Sequence, residues 1–369
     1  MSFSLHQYPR RTNPDLARQL ACVRAFVQHH RDTQAASAAV FEPPPPSIAG
    51  SQRPMRPFFD DAEMNARKSW AQRLKGDAGI MVRSSLNRIA QLGSSRCIAQ
   101  VPDVGSLDGL DRDFPHCQEA TGLVRRHVAL ARRTPDGALK IPNLLLSGPP
   151  GVGKTAYVAA LARALGIRFV SIDVPMLSAD FSLSGLDPSY SSAKPGLVFD
   201  ALDGTCIAPI VMLDEIDELP RTGEATLGCL YALLEPPTAA RFTDAAIGLP
   251  VDASHIAWMA TCNDADLVAP ALRTRFQQVA IPAPSPAQMP AVIDSVHRQL
   301  RAGSTWSASF APDLNAAVIS ALRMLTPREL RLGLEQAYAR AAEAERDHLV
   351  PSDIPRAQPT TRRTIGFST

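Results

Sequence analysis

The stretch from Ser147 to Tyr157, Ser-Gly-Pro-Pro-Gly-Val-Gly-Lys-Thr-Ala-Tyr, constrains this chain more than any other. The apolar run Leu144-Leu145-Leu146 precedes it, and a helical pattern from Ala156 to Leu165 follows. Strand, glycine loop and helix in that order are the context a phosphate-binding loop requires. Gly148, Gly151 and Gly153 allow the backbone to turn tightly enough for its N–H groups to face an oxyanion, and the helix adds its positive end. Pro149, Pro150, Val152 and Ala156 complete the cradle. Lys154 is placed to reach the β- and γ-phosphates of a nucleotide, and Thr155 to hold Mg²⁺.

The chain around this loop is long enough, at 369 residues, for two to three domains and a sizeable core. An apolar fraction of 45% with 20% charged residues is that of an ordinary globular protein. No apolar run reaches the roughly 18 to 20 residues of a membrane span, and the first residues do not read as a signal peptide, so a cytoplasmic location without membrane contact is expected. Six cysteines are scattered without a Cys-x-x-Cys pair, which suggests neither a zinc site nor a disulfide framework. The net charge of +2 disfavours nucleic acid as a partner, although arginine is frequent in the N-terminal third.

Residues 1–110 read as a helical region interrupted by a linker. Leu16, Leu20, Val23 and Val27 predict a helix over 15–31, and Pro43 to Pro46 mark a proline-rich linker over about 41–57. Weaker helical patterns cover 60–75 and 80–92, followed by a loop rich in Gly, Asp and Ser up to Asp113. From residue 111 to 284 strands and helices alternate: a helix over 117–133, strands at 168–173, 208–213, 256–261 and 276–281, and helices between them. This predicts a phosphate-loop αβα sandwich with a five-stranded parallel sheet. Prolines at 282, 284 and 286 then introduce a wholly helical lid over 285–346, and 347–369 forms a C-terminal tail with a short ordered piece at 365–367.

The third strand ends in Asp214-Glu215, which delivers two carboxylates to the crevice where open α/β sheets bind ligands. After a phosphate loop, Asp214 is expected to hold Mg²⁺ and Glu215 to polarise the attacking water. The fourth strand ends in Asn263, whose amide can orient water and donate to phosphate oxygen. Arg275, with Arg273 as its rival, precedes the fifth strand, at the sheet edge that in ring ATPases faces a neighbouring subunit, where a guanidinium could reach the neighbour's γ-phosphate. Arg328 opens the last lid helix and can contact the γ-phosphate from there.

The order of these elements resembles the AAA+ ATPases, and in detail the ATPase module of the Lon proteases, over Phe114 to Glu345. Leu213-Asp214-Glu215-Ile216-Asp217 is similar to Lon's Walker B segment, and Leu230 to Pro236, Phe242-Thr243-Asp244 and Ile256 to Asn263 run in step with the stretch leading to sensor 1. Gly185 to Leu202 is similar to the first pore loop and the helix after it. The resemblance implies that Gly148 to Thr155 is Walker A, Asn263 sensor 1, Arg275 the arginine finger, Arg328 sensor 2, and Tyr190 a residue that grips a threaded polypeptide. Ser191 departs from the hydrophobic residue that follows this tyrosine in Lon, which weakens the grip. Lon's protease domain should begin near residue 350, where only about twenty residues remain, so no proteolytic activity is expected. The implied function is a Mg²⁺-dependent ATPase that self-associates into a hexameric ring and remodels or translocates a protein partner. The alternatives are a nucleic-acid-linked AAA+ ATPase and a nucleotide-dependent regulatory or defence switch.

Overall fold

The computed structural model describes residues 53–355 apart from 104, 178, 179, 222 and 223. The expected helix at 15–31, most of the proline-rich linker and the piece at 365–367 lie outside the described residues.

The first described elements form a layer on the α/β body. Strands β1 (Met55–Pro57) and β2 (Ser95–Cys97) pair antiparallel and flank two helices, α1 (Asp61–Ala71) and α2 (Gly76–Gln91). Asp60 caps α1, its carboxylate accepting the N–H groups of Ala62 and Glu63 at 2.8 and 3.0 Å. Val82, Leu86 and Ile89 give α2 a helical apolar stripe, and all three are fully buried. The stretch read as a loop up to Asp113 contains β2 and a further helix, α3 (Asp108–Asp113). A three-residue strand offers no periodicity to detect, and β2 exists because β1 pairs with it from a distance in sequence.

Helix α4 (Gln118–Ala131) leads to β3 (Leu144–Ser147), the phosphate loop and α5 (Lys154–Leu165). Then follow β4 (Phe169–Asp173), α6 (Leu197–Ala201), β5 (Ile210–Asp214), α7 (Glu224–Leu234) and α8 (Pro236–Ala239). A two-residue hairpin pair, β6 (Phe242–Thr243) and β7 (Pro250–Val251), precedes β8 (Ala257–Cys262), α9 (Pro270–Arg273) and β9 (Gln277–Ala280). Strands β4, β5, β8, β3 and β9 lie side by side in that order and all run parallel. The four apolar residues of β5 and the whole of β8 are buried, as a sheet covered on both faces requires. β8 separates β3 from β5, so the phosphate loop, Asn263 and the Asp214-Glu215 pair leave three adjacent strands at one edge of the sheet.

One apolar cluster runs from Phe58 through Ile98 to Ile281, so residues 58–110 share their core with the sheet and the packing shows no break at 110. A second cluster, from Met289 to Ile354, belongs to the lid helices α10 (Met289–Ala302), α11 (Ala316–Leu322) and α12 (Pro327–Glu343). Among the described residues, Arg298 of the lid donates to Asp113 of the body at 2.6 Å, and Gln288 Nε2 to the Pro115 carbonyl at 2.9 Å. No helix among the described residues is long and apolar enough to cross a membrane.

Candidate nucleotide-binding site

The phosphate loop has the backbone that its glycines were expected to permit. Gly151 and Gly153 hold φ angles of 77° and 96°, in the left-handed region that L side chains avoid. At Gly148 a Cβ would fall 2.1 Å from the Ile281 carbonyl oxygen, because β9 and the loop run in contact. Gly153 stands at the start of α5 and supplies no side-chain acceptor, so the first-turn N–H groups face the loop interior.

Lys154 folds back into that loop and is only 8% exposed. Its ammonium donates to the Gly148 and Pro149 carbonyls at 2.7 and 3.1 Å and to Asn263 Oδ1 at 3.2 Å. Burial pulls its pKa below the ordinary lysine value, and the nearby charges of Asp214, Asp217 and Glu215 oppose that pull. The contact with Asn263 joins residues 109 apart in the chain, and it places the amide that follows β8 beside the lysine of the glycine loop.

The Thr155 hydroxyl donates to Asp214 at 2.9 Å, which joins the start of α5 to the end of β5. Thr261, given no role on sequence grounds, donates its hydroxyl to the same carboxylate and accepts the Glu215 N–H at 3.1 Å. Glu215 itself lies in the left-handed region with φ 59°, an uncommon conformation for a non-glycine residue at the point where β5 ends. Burial, then the charges of Asp214, Asp173, Asp217 and Glu218, push its pKa above the ordinary carboxylate value. Asp217 also had no assigned role; its carboxylate accepts the N–H groups of Asn263 and Asp264 at 2.9 and 3.3 Å and so fixes the end of β8. Asp173, paired in register with Asp214, has its own pKa raised, by burial first and Asp214 second. A polar Thr261 inside the apolar run Ala-Trp-Met-Ala-Thr-Cys, and a third carboxylate two residues after Glu215, are the signals that could have found the first two.

His116 is a further residue that sequence reasoning missed. It is buried, and its Nε2 lies 2.9 Å from the carbonyl oxygen of Val152 in the phosphate loop. Burial keeps its pKa below the ordinary value, so the ring is neutral, Nε2–H donates, and Nδ1 is left as an acceptor. No side-chain pattern announced it, because the contact depends on how α4 packs beside α5.

Arg328 packs across the loop from the lid: a Cβ at Gly151 would come within 2.8 Å of the Arg328 Cβ. Arg275 and Arg273 are both held in their own chain. Arg275 pairs with Glu235 at 2.9 Å and lies 5.1 Å from the ring centre of Tyr231, while Arg273 pairs with Asp266 at 2.7 Å. Tyr190 sits at the tip of the 185–196 loop with 59% of its surface exposed. The neck of that loop is narrow. A Cβ on Gly196 would fall 2.2 Å from the Leu183 carbonyl oxygen, and one on Gly185 would fall 2.4 Å from Asp244. Asp244, fully buried, accepts the N–H groups of Gly196, Ala246 and Ile247 at 2.7, 2.9 and 3.1 Å, so one carboxylate holds both the loop neck and the turn after β6.

Residues 144–282 match the family model described as the ATPase family associated with various cellular activities (AAA). The chain is 33% identical over 209 residues to Lon protease of Chloroflexus aurantiacus, a match covering 54% of this chain and 25% of that protein. It is 31% identical over 232 residues to Lon protease 2 of Bdellovibrio bacteriovorus, covering 61% and 29%. It is also 36% identical over 152 residues to the peroxisomal Lon protease homolog 2 of Pichia angusta, covering 40% and 16%. The chain therefore spans 16 to 29% of the length of these curated relatives, and what it shares with them is the ATPase region. A mutant structure of RuvB from Thermotoga maritima overlaps 69% of this chain and 71% of its own, at 15% identity and a TM-score of 0.44. Residues 144–282 are thus similar to the AAA family, and the longer matched stretch resembles the ATPase module of Lon.

Proposed function

We propose that this AAA module binds and hydrolyses ATP, and that it does so in a hexameric ring that remodels or translocates a protein partner. The observation that carries the first part is the convergence of Lys154, Thr155, Asp214 and Asn263, from three adjacent strands, into two direct contacts. The residues fit both the nucleotide and its cation. The glycine loop and the open end of α5 suit polyphosphate, whose charge Lys154 would balance once it exchanged loop carbonyls for phosphate oxygens. Thr155 and Asp214 would hold Mg²⁺, which supplies neutralisation of the β- and γ-phosphate charge when bound. The described residues contain no group of three or more His, Cys, Asp or Glu able to cage a metal, which suits a cation that arrives with phosphate ligands and water.

In this reading Glu215 accepts the proton of the water that attacks the γ-phosphorus. Its pKa, raised by burial first and then by the charge of Asp214, makes it a stronger base than an ordinary glutamate. Thr261 and Asp217 act through other groups, Thr261 by setting Asp214 and the Glu215 backbone, and Asp217 by setting Asn263. Arg328 reports the phosphate state to the lid, and Tyr190 contacts the partner from the exposed loop. Arg275 acts on the neighbouring subunit's phosphate after exchanging Glu235 for it, with Arg273 as the rival.

Two substitutions test the assignment. Lys154→Ala should abolish nucleotide binding or turnover, whereas Glu215→Gln should retain ATP and stop hydrolysis; normal turnover in both variants would remove the proposal. Stimulation of ATP hydrolysis by an unfolded protein and by DNA, measured side by side, decides the partner class. Stimulation by DNA alone would replace the protein-remodelling reading with a nucleic-acid-linked one.

A further inference from the structure

Two of the cysteines that are far apart in sequence meet on the side of the molecule where the N-terminal layer joins the sheet. Cys97 ends β2, and Cys206 lies between α6 and β5. The two residues face each other as an isolated parallel bridge. Cys97 N–H donates to the Thr205 carbonyl at 3.2 Å and Ile207 N–H donates to the Cys97 carbonyl at 2.9 Å, so hydrogen bonds flank the pair on both sides. Neighbouring strands lie about 4.8 Å apart, which falls within the Cα separation that a disulfide spans without backbone movement. The Cys97 thiol donates to the Thr205 carbonyl at 3.2 Å, beside Cys206. The Arg53 guanidinium stands 3.6 Å from the Cys97 sulfur. Cys97 is buried while Cys206 is half-exposed, so a small reagent has access from the Cys206 side.

We propose that Cys97 and Cys206 form a dithiol site that a low-molecular-weight disulfide oxidises to a Cys97–Cys206 disulfide bond. The Cys97 thiolate is the attacking group, because the Arg53 guanidinium 3.6 Å from its sulfur favours the charged form. It attacks one sulfur of the small disulfide, forming a mixed disulfide and expelling one small thiolate. Cys206 then gives up its proton and attacks the Cys97 sulfur, which expels the second small thiolate. Two protein thiols are oxidised by two electrons in all, the small disulfide is reduced to two thiols, and the two protons pass to them.

The bond would fasten the β1–β2 layer to the segment that connects the Tyr190 loop's helix with the strand ending in Asp214. Non-covalent contacts already mark this seam. The fully buried Arg96 guanidinium donates to the Leu202 and Gly204 carbonyls at 3.2 and 2.7 Å, and to the Ile89 carbonyl at 2.8 Å.

The test uses the full chain, reduced and then held at neutral pH with oxidised glutathione, alkylated, digested without reductant and mapped by mass spectrometry. The expected product is a peptide pair joined through Cys97 and Cys206, lighter by two hydrogens and returned to free thiols by dithiothreitol. In Cys206→Ser, Cys97 should instead carry glutathione. Both thiols remaining free in the wild-type chain after this treatment would overturn the proposal, as would linkage of either one to Cys117 or Cys262. The wild-type map decides the matter even if the variant does not fold.

Discussion

Thr155 and Thr261 reach one carboxylate from two different elements, and that sharing explains why Asp214 and Glu215 have separate duties. Asp214 is anchored by two hydroxyls, whereas Glu215 has only its backbone fixed, which leaves its side chain free to meet water. Thr261→Val deletes one donor to Asp214 and the acceptor of the Glu215 N–H at once. With about 1–3 kcal/mol for a buried bond partner lost, kcat for ATP should fall on the order of tenfold or more, with nucleotide affinity changed far less. Steady-state hydrolysis alongside a nucleotide titration checks this, and an unchanged kcat would show that Thr261 does not position the base. The pH profile follows from Glu215. Its pKa is raised, so the form that accepts a proton is lost at a higher pH than for an ordinary glutamate as the solution is acidified. The acid limb of the kcat profile should lie above the usual carboxylate range; a limb at or below it would argue against Glu215 as the base.

Among the elements, those with long apolar periods were readable before any coordinates: α2, α4, α5, the lid helices and the five parallel strands fall where apolar spacing predicts them. What escaped were β1, β2, β6 and β7, strands of two or three residues too short to show a period; β1 and β2 pair across about forty residues of chain, β6 and β7 as a hairpin. The hairpin of β6 and β7 matters because Asp244 at its turn holds the neck of the Tyr190 loop. Asp244→Ala would leave three buried N–H groups without an acceptor, so the chain should lose on the order of 3 kcal/mol of stability, measured by urea unfolding. The same carboxylate carries a pH dependence of definite sign. Burial outweighs its three N–H donors and raises its pKa from 3.8 to about 6. The folded chain thus holds this proton more tightly than the unfolded one. Its contribution is most favourable below the unfolded value and is lost as pH rises toward 6. Wild type compared with Asp244→Asn should therefore lose on the order of 3 kcal/mol between acid and neutral pH. Parallel pH slopes in the two proteins would show that Asp244 is not the titrating group.

For the whole molecule, the body and the lid each have an apolar core of their own, and Arg328 seated on Gly151 brings the lid against the phosphate loop. The proposed ring adds a demand that one chain cannot meet, since Arg275 is occupied by Glu235 within its own subunit. Arg275→Ala should lower the ATP hydrolysis rate by about a hundredfold or more at protein concentrations where subunits assemble, while leaving nucleotide binding intact. Mixing it with Glu215→Gln subunits, which retain Arg275, should restore part of the rate. Activity independent of protein concentration would make a shared site untenable, and a loss confined to Arg273→Ala would transfer the role to its rival. The glycine loop, the carboxylate pair and the asparagine were legible in sequence because each is a short motif bound to a strand end, and strand ends in a parallel sheet converge by rule. The roles of Thr261 and Asp217, the neutral His116 beside Val152, the Asp244 neck and the meeting of Cys97 with Cys206 were not legible. Each rests on a single polar group whose partner lies far along the chain or on a neighbouring element, and only the packing of one layer on another decides which groups meet.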